Sequence, residues 1–505
     1  MQYDSEQLKV IVKNLYALAV ESVNPYKLTL DSVRLNGSIL EIGDYKTDIS
    51  QYKRIYVIGA GKAVAGMAMA LEKILTVKEP ADLITKGQIS ISYGSGRMQS
   101  PIGYPVPEAD PPLAEKNIAL KKIRVIEAGH PIPDEASILG AKEIKDLLKD
   151  ITKDDLVFYL ATGGGSSVLT MPAPLEATKL SKETGEIISH VECEASNGVG
   201  SPARLLLPAE GITLKDLQDT FQLLIKSSAP LSEINCIRKH IDITKGGRLA
   251  RDIYPASLIT LAISDVVGDR IDLISSGPTV PDPSTFREAY LILAEYDLWQ
   301  KIPESVISML EKGFKGEIAE TPKENEACFE KNKAFLIGTN KTALNSIAEK
   351  ISSLGYDAFI NEEPIVGEAR KTATTYASKI LEMTKGRSNP LFIISGGETT
   401  VAIKGNGIGG RNQEFALAFA LQMERLEFER FICLSCSTDG IDYIEEAAGA
   451  LVDGSSLRKA KRFGLNPQQL LDNNDSYHFH EPIKTLIKTG PTGTNVNDIQ
   501  IIVSW

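Results

Sequence analysis

Apolar positions recur along this chain with two alternating periods. Between residues 5 and 23, Leu8, Ile11, Val12, Leu15, Leu18 and Ala19 fall on one face at helical spacing, which predicts an amphipathic helix. Apolar runs of strand length follow at residues 53–58, 155–160, 258–264, 334–337, 356–360, 391–394, 431–436 and 499–503. Helical patterns stand between several of them, at 341–354, at 368–382 and from Arg411 onward, and residues 287–330 read as polar helix. Alternating strands and helices predict α/β architecture, in which ligands gather at the carboxyl ends of strands. At 505 residues the chain exceeds what one hydrophobic core usually serves, so two domains are expected.

Most of these strands run into glycine. GAGKAVAG (59–66) superficially resembles a dinucleotide fingerprint, but Val64 stands where the third glycine belongs and no acid ends a strand about 20 residues on. Its Lys62 opposes the dipole of the helix that follows, a placement that makes sense against an anion. TGGGSS (162–167) offers three glycines and two hydroxyls as a nest for phosphate or carboxylate; it is neither a Walker loop nor a nucleophile elbow. Asp265 and Asp439 each end a strand, placed to hold Mg²⁺ or orient a hydroxyl. Asp269 and Asp282 read equally as turn caps. The stretch 391–415 reads as a strand, a turn at Ser395–Gly397, a second strand over 398–404, a glycine loop and a helix opened by Arg411. Loop amides and a forked permanent charge together suit an anion.

Around Arg238, Lys239, His240, Lys245, Arg248 and Arg251 the chain is locally basic. Part of that run is expected to be a solvated helix face, with Lys245-Gly246-Gly247 the better anion contact. His130, between Gly and Pro, reads as a structural turn residue, and Asp134 and Ser137 as helix caps. Residues 90–122 read as a long loop or lid, and 173–207 as a polar irregular insertion.

Bulk composition narrows the partners. With 43% hydrophobic and 24% charged residues the chain is ordinary for a globular protein, and its net charge of −11 argues against nucleic acid or an anionic membrane. No apolar run approaches the roughly 18 residues of a membrane span and the first residues lack a signal peptide's apolar core, so the cytosol is expected. The five cysteines are scattered, as for reduced thiols. Cys433 and Cys436 form a CxxC inside the apolar run FICLSCS, which predicts buried thiols more than a redox or zinc site.

Glycine turns, two cations and strand-end carboxylates are the recurring parts of phosphoryl transfer, which needs positioning and charge neutralisation more than covalent chemistry. Ten motifs occur in order: GAGKA (59–63), GHPIPD (129–134), TGGGSS (162–167), RKHIDITKGGRLA (238–250), ISDVVGD (263–269), SGPTVPD (276–282), SGGETT (395–400), GGRNQE (409–414), NNDSY (473–477) and TGPTGTNVND (489–498). Together they resemble the glycerate 2-kinase family, the MOFRL-type group sometimes labelled hydroxypyruvate reductase.

The resemblance implies two Rossmann-like α/β domains, 1–255 and a MOFRL-type 256–505, with a cleft between them. It implies phosphorylation of D-glycerate to 2-phosphoglycerate by ATP with Mg²⁺. Lys62 and Arg411 would sit at the active site, one against the phosphoryl group and the other against the substrate carboxylate. Asp265, or failing that Asp439, would hold the metal or take the hydroxyl proton. Further contacts to substrate or nucleotide are expected from Gly61, from Gly163, Gly164, Gly165, Ser166 and Ser167, and from Arg238, Lys245 and Gly246. Gly277 and Thr279 join them, as do Gly396, Gly397, Glu398 and Thr399, then Gly410, Asn412 and Glu414, and finally Thr494 and Asn495. A homodimer is left open. The chain departs from the family pattern at Ile408, in IDYIEEAAG after residue 440 and in the 173–207 insertion, which leaves room for another sugar acid. An NAD(P)-dependent hydroxypyruvate reductase is the alternative, and a non-catalytic ATP or glycerate sensor a third class.

Overall fold

The computed structural model describes residues 4–76, 83–95, 120–174, 211–387, 389–444 and 446–505. Of the expected lid at 90–122, residues 90–92 end a strand and 96–119 lie outside the described residues, as does all but the start of the insertion at 173–207.

Six parallel strands form the first sheet: β1 (Arg54–Ala60), β2 (Ile84–Ser92), β3 (Ile123–Ala128), β4 (Asp155–Ala161), β5 (Ser257–Ile263) and β6 (Asn332–Gly338). Their order is β3-β2-β1-β4-β5-β6, so the direction of winding reverses between β1 and β4. An open parallel sheet binds ligands beyond the strand ends at such a reversal. β4 is buried along its whole length and β1 beyond its first residue, which is why both read as continuous apolar runs and not as alternations. β2 and β3 escape the hydrophobic pattern because Thr85, Lys86, Gln88, Arg124 and Glu127 interrupt it. Asp134 and Ser137 do form the expected cap, a reciprocal capping box on the helix Glu135–Leu148.

The second sheet is mixed. It comprises β7 (Asp357–Ile360), β8 (Ile365–Glu368), β9 (Leu391–Thr400), β10 (Phe431–Ser437), β11 (Gly449–Asp453), β12 (Leu486–Ile487) and β13 (Asp498–Ser504). The order is β7-β9-β13-β10-β11-β12, with β8 alongside the second half of β9. β13 lies antiparallel between β9 and β10, and one register row joins Gly397, Asp498 and Ser437. The start of β13 therefore meets the ends of its two neighbours at one edge.

Two expectations give way here. Ser395–Gly397 is not a turn: β9 runs unbroken from Leu391 to Thr400 because β8 pairs in parallel with its second half, Ile365 opposite Gly397. The division at 255/256 does not follow the sheets either, since β5 and β6 complete the first sheet and the change falls between Gly338 and Asp357.

The two sheets share a hydrophobic cluster. Phe158 and Leu160 of the first, Phe392, Ile394 and Ile501 of the second, and Leu8, Val12 and Leu15 of the helix Ser5–Ser22 all belong to it. Each such side chain, when fully buried, contributes about 1.5–3 kcal/mol. The first helix is also held polarly: Tyr16 donates to the Ser437 carbonyl at 2.7 Å, and Thr494 donates to the Val23 carbonyl at 2.7 Å. A helical lobe, Leu214–Lys226, Leu231–Ile241, Phe286–Glu295 and Glu304–Phe314, packs around its own apolar cluster. Among the described residues no helix is long and apolar enough to cross a membrane.

Candidate active site between the two sheets

At the winding reversal, β1 delivers Gly61 and Lys62, β4 delivers the 162–167 turn and β5 delivers Asp265. The Lys62 backbone N–H donates to the Gly163 carbonyl at 2.8 Å, tying the two turns together. A Cβ on Gly163 would lie 1.6 Å from Asp265 Oδ2, so the carboxylate occupies space that only glycine leaves. Gly164 takes φ +86°, in the left-handed region, with Lys62 Cγ and His130 Cδ2 just beyond where its Cβ would stand, at 3.0 and 3.1 Å. Lys62, Asp265 and His130 are thus gathered around one glycine turn.

The second sheet supplies the facing edge. Glu398 lies near the end of β9, Asp439 two residues past β10 and Asp498 at the start of β13. Lys62 Nζ lies 4.0 Å from Asp439 Oδ2, across the gap between the sheets. Asp439 is aimed by its own turn, accepting from Ser437 Oγ at 2.7 Å and from the Ile441 N–H at 3.0 Å. Arg411 reaches Asp498 through Nε at 2.7 Å and Nη2 at 2.9 Å, and Glu398 through Nη1 at 2.8 Å. Lys62 and Arg411 were expected to face one anion; Lys62 meets Asp439, while Arg411 is held by Asp498 and Glu398. Arg411 thus already spends its fork on two carboxylates.

Asp265, Glu398, Asp439 and Asp498 carry four negative charges against the two positive charges of Lys62 and Arg411, an excess of two. Burial first, then the charge of Glu398, push Asp265 up to about 6, with Lys62 pulling the other way. Burial likewise raises Glu398; Arg411 opposes that, while Asp498 and Asp439 add to it. No group of three His, Cys, Asp or Glu among the described residues is arranged to hold a metal ion.

His130, read from the sequence as structural, is solvent-exposed within this crevice. Surrounding protein, then Lys62 and Arg238, push its pKa down to about 3, so the ring is neutral. Arg238 is 8% exposed, stacks over Phe221 at 4.2 Å and makes no hydrogen bond or ion pair among the described residues; its Nε is buried without a partner.

Several other expected contacts are structural. Lys245 is fully buried, its Nζ on Asp242 Oδ2 at 2.7 Å and the Leu169 carbonyl at 2.8 Å, so it offers nothing to a ligand. The Gly246 N–H bonds the Ser276 carbonyl, Gly277 turns tightly against Asp272 and Thr279 accepts from Thr260 at 2.9 Å. Ser167 gives its hydroxyl to the Pro131 carbonyl, and Ser166 donates to Ser276, whose own hydroxyl donates to Asn235 Oδ1. Gly61 packs on Thr162, Gly165 on Ser275, Gly396 on Asn340 and Gly397 on the Ile365 backbone. Asp282 pairs with Lys239 at 3.0 Å, and Asp269 sits in a turn at φ +55°.

The helix Arg411–Arg425 holds no place for an incoming anion at its start. Asp442 already fills it, accepting from the Asn412 and Gln413 N–H groups at 3.0 and 2.9 Å and lying where a Gly410 Cβ would be. Asn412 accepts from Ser435 at 2.6 Å, and Glu414 takes both arms of Arg370 at 2.8 Å. Thr399 is buried in β9, Thr494 holds the first helix and Asn495 accepts from the Asn497 N–H. Asp498 ends the motif 489–498 and Asp442 lies in IDYIEEAAG, but neither was singled out, because each acts through the arginine or helix start it meets in space. Cys433 and Cys436 are free thiols on opposite faces of β10, one in each of two apolar clusters, which excludes a shared metal.

Comparison with known proteins identifies the family. Residues 11–190 and 198–311 match a domain of unknown function, DUF4147, and residues 391–498 match the MOFRL family. The chain is 36% identical over 500 residues to the glycerate 2-kinase of Pyrococcus horikoshii, covering 98% of this chain and 97% of that one. It is 33% identical to the D-glycerate 2-kinase of Thermotoga maritima, covering 99% of each. A crystal structure of the Thermotoga maritima glycerate kinase superposes with a TM-score of 0.74 at 31% identity, over 99% of this chain and 100% of that one. On its sequence, its fold and the convergence of these motifs, the chain belongs to the glycerate 2-kinase family.

Proposed function

We propose that this protein transfers the γ-phosphoryl group of ATP to the 2-hydroxyl of D-glycerate, releasing ADP and 2-phosphoglycerate. The contact that carries this reading is Lys62 facing Asp439 across the gap, beside Asp265. The names of the relatives supply the substrate.

In this reading the substrate oxygen bonds to the γ-phosphorus as the bond to the β-bridging oxygen breaks. Asp265 receives the hydroxyl proton, and a carboxyl pushed up to about 6 is well matched to that task near neutral pH. Lys62 offsets charge on the transferring group, and Arg411 acts through the carboxylates it holds. The unmatched negative charge suits a divalent cation such as Mg²⁺, which takes one or two carboxylates together with phosphate oxygens. Asp439 would hold it, leaving Asp265 to take the proton, and it would shield the phosphate charges. A nicotinamide reading has less support: β2 ends in Ile91-Ser92-Tyr93, without the acid that binds ribose.

A coupled ADP-release assay with ATP, Mg²⁺ and a panel of small hydroxy acids tests the proposal. Turnover with D-glycerate is expected, reduced roughly 10²- to 10³-fold in Lys62→Ala. ADP release with no member of the panel would overturn the kinase reading, and a Lys62→Ala enzyme with near-wild-type kcat/KM would overturn the role of that lysine.

A further inference from the structure

We infer that Arg238, with His130 and Lys62 beside it, forms the subsite that receives the carboxylate of a small 2-hydroxy acid. This assignment rests on the kinase reading above and specifies how its acceptor is chosen.

The basic run around residue 238 divides sharply. Lys239 is held by Asp272 and Asp282 at 3.1 and 3.0 Å, Lys245 by Asp242 at 2.7 Å, and Arg248 by the Lys239 and Asp242 carbonyls. Arg238 is also buried, yet among the described residues it has none of this: it meets a ring face and no acceptor, and its Nε is buried and unsatisfied. A desolvated guanidinium without a counter-ion is costly, and contact with one phenyl face offsets only part of that cost. Its forked donors match a carboxylate, and an arriving anion would supply what the fold withholds.

The neighbours agree. His130 is exposed, makes no hydrogen bond among the described residues and, being neutral, presents one N–H. Lys62 and Arg238 are the charged groups that act on that ring. An anion placed here meets three donors. Lys62 also faces Asp439, so it stands between this basic end and the acidic one. In a 2-hydroxy acid one carbon separates the carboxylate from the reacting oxygen, so a carboxylate held at the basic end keeps that oxygen near Lys62.

Steady-state kinetics of the full-length enzyme with D-glycerate and with glycerol, which lacks the carboxylate, test the subsite in Arg238→Gln and Arg238→Lys. The expected result for Arg238→Gln is a glycerate KM raised about 100-fold with ATP KM unchanged, while activity on glycerol stays level and the preference for glycerate collapses. Arg238→Lys should lie between. Unchanged glycerate KM, equal losses on both acceptors or a raised ATP KM would overturn the assignment. Calorimetric titration with D-glycerate separates this from failure of the kinase reading: wild-type binding that Arg238→Gln loses supports the subsite even without turnover, and equal binding or none by wild type overturns it. Arg238→Met should raise the melting temperature of the free protein by about 2–4 °C, because it removes an uncompensated charge. A packing role for Arg238 predicts a fall.

Discussion

Replacing Arg411 by methionine tests the carboxylate edge directly. Asp498 is fully buried, and its side-chain oxygens accept only from Arg411 among the described residues, at 2.7 and 2.9 Å. Arg411→Met therefore strands a carboxylate inside the second sheet. Breaking a buried pair costs about 3–5 kcal/mol; the arginine side chain is 30% exposed, so water relieves part of it and a loss of about 3 kcal/mol is expected. Trp505 follows β13 and packs on the core, so its fluorescence during urea unfolding reports this sheet. The other tryptophan, Trp299, lies beyond the helix Phe286–Glu295 of the helical lobe and is best replaced by phenylalanine in the reporter background. Adding Asp498→Asn removes the stranded charge and should return at least half of the lost stability. Turnover should stay low in both variants, because Glu398 has lost its holder in each. Equal unfolding midpoints for the single and double variants would refute the argument that Arg411 acts by anchoring buried carboxylates.

Two further outcomes follow from the same site. Asp265→Asn should abolish turnover yet stabilise the protein by about 1–2 kcal/mol at pH 7, allowing for its partial exposure. The sign follows from its raised folded pKa: wild type loses stability as pH rises from about 4, where the unfolded chain ionises, to about 6, where the folded one does. The gap between the two proteins, read from urea melts, should therefore open over that interval and stay constant above it; a gap that closes with rising pH would refute it. Wild-type kcat/KM should rise through about pH 6 for the same reason. Gly163→Ala places a methyl 1.6 Å from the Asp265 carboxylate, so turnover should fall at least 10-fold while ADP affinity changes little. If Gly163→Ala keeps full turnover, Asp265 is not held where we place it.

Much of the fold was legible. The helix Ser5–Ser22 shows in one apolar face, and β1, β4, β5, β9 and β10 show in runs long enough to be buried on both sides. Lys62, Asp265 and Asp439 were legible for a simple reason: each follows a strand that pattern alone finds, and strand ends are where such sheets bind. Arg411 was found beside glycines, but its use was not. The carboxylates that occupy it come from β9, 13 residues back, and from β13, 87 residues on. Lys245 and Arg238 show the same limit inside one motif. Seven residues apart in the same basic run, one is consumed by Asp242 and the other is left bare, and only the packing of the helical lobe decides which. Gly410 misled for a related reason, because a helix start attracts an acid whether it comes from a ligand or, as here, from Asp442.

The position of β13 bears on how the protein is made. β9 and β10 leave the ribosome with no partner for the edges they will later share, because the strand that belongs between them is Asp498–Ser504. Roughly 60 residues of synthesis separate the end of β10 from the start of β13. For that interval two apolar strands hold open hydrogen-bonding edges, the arrangement most prone to pairing with the wrong chain. The acidic edge of the crevice cannot assemble earlier, so the nascent chain stays inert until its last strand slides home.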